Sequence, residues 1–71
     1  MMSGDITKFF DEICVRLGLC LSMAARSRLA LGRFRDEDAF ELAVLEAENL
    51  DPLKVDRRLR DELRHTIDRY W

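Results

Sequence analysis

Residues 52–70, PLKVDRRLRDELRHTIDRY, decide the fold class. Val55, Leu59, Leu63, Ile67 and Tyr70 recur every three or four positions, the spacing of one face of an α-helix, with Thr66 and Trp71 beside them. Outside that stripe Arg57 and Asp61, Arg58 and Glu62, and Arg64 and Asp68 stand four apart, where opposite charges meet on a helix surface. Pro52 behind Asp51 suits a first helical position, so a helix is predicted over 52–70. Its apolar seam spans about two heptads, short for a free-standing coiled coil but adequate for antiparallel packing in a bundle.

Upstream, Asp36-Glu37-Asp38 places negative charge where a helix macrodipole is positive, and a helix is expected over 37–49. Phe40, Ala43, Val44, Ala47 and Leu50 form one of its faces, while Leu42 and Leu45 point nearly the other way. Ser22 caps a helix over 22–32, in which Leu21, Ala25 and Leu29 share a face but Ala24 and Leu31 lie on another. The first helix, 5–17, starts at Asp5 and carries Ile6, Phe9, Phe10, Ile13, Cys14 and Leu17 on one stripe, with Gly18 closing it. The expectation is an all-α domain over 1–71, a compact bundle of four short helices with helices 3 and 4 as an antiparallel pair.

Seventy-one residues leave room for one small core, and cores of this size usually need a disulfide, a metal or a partner subunit as well. Cys14 and Cys20 point in opposed directions if one helix carries both. A bridge between them requires a break, for which Gly18 is the only candidate, and the two are read as reduced thiols. With His65 they fall short of the four ligands of a structural zinc site, so no metal and no cofactor is expected. Self-association remains as the stabiliser: a dimer, or a complex with a protein partner, that covers Leu42, Leu45 and Trp71.

Charge runs in blocks, since residues 13–35 hold five arginines and no acid, and residues 36–51 hold seven acids and no base. Mutual neutralisation of neighbouring elements is the simpler reading, and a surface asymmetry the other. The net charge is −2, and no apolar run approaches the ~18 residues of a membrane span. The N-terminal residues lack a secretory pattern, which makes a cytoplasmic location the expectation.

Catalytic patterns are missing. His65, the one histidine, falls away from the Leu59/Leu63/Ile67 stripe, and there is neither a phosphate-binding glycine loop nor a spaced set of cation ligands. Neither enzymatic activity nor a small-molecule substrate is expected.

Residues 12–35, EICVRLGLCLSMAARSRLALGRFR, supply another possibility. Ile13, Cys14, Leu17, Gly18, Leu19 and Ala24 fall on the apolar, small, apolar, Gly, apolar and apolar positions of a helix-turn-helix. In this respect the segment resembles the helix-turn-helix of bacterial regulators and of the DNA-reading end of sigma-type factors. That resemblance implies a DNA-binding regulator in which Ser22, Arg26, Arg28 and Arg33 meet the nucleic acid and helices 3 and 4 dimerise. Two function classes are therefore carried: a small non-catalytic interaction or regulatory module, which the acidic neighbouring segment favours, and a DNA-binding regulator.

Overall fold

A computed structural model describes residues 3–71, with side chains from Asp5 onward. Four helices, α1 (Ser3–Leu17), α2 (Met23–Leu31), α3 (Glu37–Ala47) and α4 (Arg57–Tyr70), close into a ring in which α1 packs on α2, α2 on α3, α3 on α4 and α4 on α1. Among the described residues there is no strand. The all-α bundle and the α3–α4 pairing stand as expected. Asp38 lies on Arg64 and Glu41 on Arg60, so residue numbers rise along one helix as they fall along the other, and the pair is antiparallel.

Local chemistry sets the ends. α1 begins at Ser3, leaving Asp5 in its first turn, where a negative charge meets the positive end of the dipole. Gly18, at φ +72°, closes α1 in a left-handed cap, donating its N–H to the Cys14 carbonyl at 3.2 Å while Leu19 N–H reaches the Ile13 carbonyl at 3.0 Å. Ser22 accepts from Ala25 N at 3.1 Å, so its expected cap is made, and within the acidic start of α3 it is Asp36 that caps, accepting from Ala39 N at 2.9 Å. α3 ends two residues short of expectation because Asn49 turns left-handed at φ +60°. Asn49 N–H then reaches the Glu46 carbonyl and Leu50 N–H the Leu45 carbonyl, each at 2.9 Å, a Schellman closure with asparagine in glycine's usual place.

The predicted start of α4 at residue 52 is corrected to Arg57. Asp51 does act as a cap, its side chain taking Leu53 N–H at 2.9 Å, but only a single turn forms over 52–54. Asp56, extended at ψ 129°, then breaks the path and caps the long helix through Arg58 N–H at 3.0 Å. Two aspartates five residues apart compete for one helix start, and the second wins.

Phe9, Ile13, Phe40, Val44, Leu45, Leu63 and Ile67 are fully enclosed at the centre of the ring. Leu45 corrects the reading that put it on an outer face. Since α3 meets α2 on one flank and α4 on the other, its apolar surface is wide for internal reasons, and only Leu42, at 39% exposure, stays partly outside. Phe9 stacks obliquely on Phe10 and Phe40, its ring centroid 5.5 Å from each, and Phe40 in turn meets Phe34 and Trp71 at 5.0 and 5.9 Å. Such tilted and edge-on contacts are the arrangements that aromatic quadrupoles favour.

A third correction concerns the cysteines. Gly18 supplies the break, Cys20 returns beside the last turn of α1, and Cys14 and Cys20 are joined as a disulfide. Read as thiols they left the chain without a staple; bridged, they tie the α1–α2 junction. Disulfides persist in oxidising surroundings and are rare in a glutathione-buffered cytosol, so the pair lends no support to a cytoplasmic location.

Candidate functional site

The two charge blocks do not neutralise one another. Acids of α3 turn to α4: Glu41, almost wholly buried, accepts from Arg60 at 3.4 Å, and Arg64 reaches Asp38, Glu37 at 3.7 Å and Glu41 at 3.8 Å as well as Asp68 at 3.4 Å. The hydrogen bond to Asp38, above all, raises the Arg64 pKa beyond its already high ordinary value. On the other flank of α4, Glu12 of α1 accepts from Tyr70 Oη at 3.0 Å, Arg16 at 3.0 Å and Arg69. α4 is thus the electrostatic hub of the molecule.

The basic block fares differently. Arg26 donates to Asp11 at 3.0 Å and lays its guanidinium over Phe10 at 5.7 Å, a cation–π contact that holds α2 to α1 and leaves its side chain 21% exposed. Ser22 spends its hydroxyl on the helix cap. Two of the four residues implied as DNA contacts are therefore occupied within the fold. The other two, Arg28 and Arg33, are exposed together with Arg35, and among the described residues none of the three has an acid within 4 Å. Lys8, Lys54, Arg57 and Arg58 also lack ion pairs, but each has an acid within one helical turn in sequence. Arg28 has none within four residues, and Arg33 and Arg35, although Asp36 follows them closely, make no ion pair with it because it caps α3.

These arginines border an apolar surface. α2 buries one stripe, Ala25 and Leu29, against the core, in line with Leu21 just before it. Its outer side carries a second, Met23, Ser27, Ala30 and Leu31 at i, i+4, i+7 and i+8, joined by Ala24. Met23 is 75% and Leu31 84% exposed, and among the described residues nothing covers them. Two shallow grooves adjoin this stripe at Ala30. One, of about 170 Å³, runs between α1 and α2 past Ile6, Phe10, Met23, Arg26 and Ala30. The other, of about 190 Å³, passes Ile6, Leu29, Ala30, Phe34 and Trp71, so Ile6 and Ala30 join the two into one surface. Gly32 lets the Phe34 ring fold back over the end of α2, since a Cβ there would stand 2.9 Å from that ring.

Of the expected interface residues, Trp71 belongs to this surface at 45% exposure, Leu42 lies apart on α3, and Leu45 is in the core. Sequence reasoning missed Met23, Leu31 and Phe34. The available signal was the poor amphipathicity of the second helix, where Ala24 and Leu31 fall off the core face.

The grooves are smaller than the ~300–1,000 Å³ common for small-molecule sites and suit one protruding side chain each. His65 is exposed on α4, and among the described residues no three His, Cys, Asp or Glu side chains gather as metal ligands. No helix among them is long and apolar enough to cross a membrane. Compared with known protein families, with characterised proteins and with solved structures, the chain matches none.

Proposed function

We propose that this protein is a small non-catalytic interaction module that docks a helical segment of another protein on the outer side of α2. The observation that carries this reading is the second apolar stripe of α2, with Met23 and Leu31 exposed beside two grooves that meet at Ile6 and Ala30, one of which reaches Phe34 and Trp71. An amphipathic helix laid in such a groove places apolar anchors at i, i+3 or i+4, and i+7, which matches the repeat of the stripe itself. Aromatic side chains that become desolvated in an interface are among the residues that most often dominate binding energy.

The docking face thereby moves from α3 to α2. Self-association through Leu42 and Leu45 rested on an exposed pair of leucines and on the want of a staple. Leu45 is enclosed and the disulfide is present, so neither support remains.

A random-sequence peptide library displayed on phage and selected on the immobilised protein tests the proposal. Binders are expected to emerge and to lose their hold on the Met23→Glu/Leu31→Glu double variant, whose two sites are exposed and compatible with a folded bundle. Failure to select any binder, or binders indifferent to the double variant, would overturn it.

A further inference from the structure

Resting on that reading, we infer that the partner is an acidic amphipathic helix, recognised by the three uncompensated arginines 28, 33 and 35 that border the apolar surface of α2.

Where the acids go decides the matter. Asp36, Glu37 and Asp38 come directly after Arg33 and Arg35 in sequence, and neutralisation there would be the cheapest outcome. The fold prevents it. Asp36 caps α3 through Ala39 N–H, while Glu37 and Asp38 are drawn across to Arg64 of α4. Arg28, at the last turn of α2, shares its groove toward α3 with Glu46, but the two stand more than 4 Å apart. Arg33 and Arg35 bracket Phe34, whose ring lines the groove ending at Trp71. Positive charge therefore stands beside an apolar strip, and among the described residues no carboxylate comes within 4 Å of that charge.

This arrangement also selects among occupants. A second copy of the chain meeting this face across a two-fold axis would oppose the patch to itself, arginines against arginines, because an isologous interface pairs each surface with its own copy. Like charges so placed repel, and the cost suppresses that partner. Duplex DNA offers negative charge but no apolar ridge for Met23 and Leu31, and Ser22 and Arg26 are already engaged. A helix with leucines or phenylalanines on one face and glutamates or aspartates along its borders satisfies both features at once.

Two synthetic helical peptides of about 18 residues, long enough to hold several turns, separate the outcomes. They share the same leucine positions and carry Glu at every border site in one and Lys in the other. Titrated by fluorescence anisotropy, the Glu peptide is expected to bind about tenfold or more tightly than the Lys peptide at low salt, the preference shrinking as salt screens it. It should invert for the Arg28→Glu/Arg33→Glu/Arg35→Glu variant, with circular dichroism showing that this variant is folded. Equal binding of both peptides, or preference for Lys, overturns the acidic-partner inference while leaving docking on α2 intact. Binding of neither overturns both. Tighter, steeply salt-dependent binding of a labelled DNA duplex in the same assay would assign the arginines to nucleic acid and overturn the inference as well.

Discussion

The α4 side and the α2 side of this bundle are built from similar material and finished differently. Each presents arginines and an apolar stripe. On α4 the stripe is buried, and Arg60, Arg64 and Arg69 are each answered by carboxylates of α1 or α3. On α2 one stripe is buried, a second is left in solvent, and Arg28, Arg33 and Arg35 go unanswered. The first pattern is what folding requires. The second exceeds it, and surplus apolar surface rimmed by surplus charge is the form in which a chain of this size can carry recognition.

Stability measurements should divide along the same line. Leu45→Ala and Leu63→Ala each empty a fully enclosed site and are expected to cost about 2–5 kcal/mol in denaturant unfolding. Leu31→Ala, on the outer stripe, should stay within about 0.5 kcal/mol of the parent. Equal losses at Leu31 and Leu45 would mean that the α2 stripe serves the fold, and the contrast would dissolve.

The disulfide comes next in size. It closes a short loop at the α1–α2 junction, and Cys14→Ser or Cys20→Ser is expected to lower stability by about 2 kcal/mol, as should reduction of the parent with dithiothreitol. An unfolding midpoint unmoved by either treatment would remove the staple from the account.

Arg26 and Arg28 sharpen the comparison within α2 itself. Arg26→Ala removes both the Asp11 ion pair and the cover over Phe10, an expected loss of about 1 kcal/mol. Arg28→Ala removes no ion pair and should be neutral to folding. Reversed results, measured by thermal unfolding, would make Arg28 the structural arginine and Arg26 the available one.

The smallest effect is expected at Glu48, at the end of α3. Burial disfavours its charged form and raises its pKa above the ordinary 4.5. The folded chain then holds this proton more tightly than the unfolded one. That contribution to stability is full below about 4.5 and is lost as pH rises through the higher folded value. Glu48→Gln should therefore be slightly more stable than the parent near neutral pH, with the advantage fading in acid. A melting temperature that falls at neutral pH on this substitution would show the carboxylate to be favourably placed instead.

Much of the fold is legible in the sequence, and the residues show why. The Val55-to-Tyr70 period places α4 on its core face, and Ser22, Asp36 and Gly18 mark three helix ends, because caps and periodicity are local. The features that escape sequence reading depend on neighbours. Leu45 points away from Phe40 on a helical projection, and only the position of α3 between α2 and α4 makes both directions internal. Asp51 and Asp56 are each good caps, and Val55 between them is half-buried in the fold the second one permits. Cys14 and Cys20 are set apart only if a helix runs through both, and Gly18 stops it. The charge blocks are visible as numbers, but not that α4 takes the acids and leaves the arginines. Of the three methionines, Met23 belongs to the candidate surface, while Met1 and Met2 lie outside the described residues.

The most direct test of the account is a map of amide chemical-shift changes in the ¹⁵N-labelled protein as the Glu-bordered peptide is added. The expected changes centre on Met23, Ser27, Ala30, Leu31, Phe34 and Trp71, with α4 residues such as Arg60 and Arg64 undisturbed. Changes centred on Leu42 and the outer side of α3, with α2 silent, would contradict it.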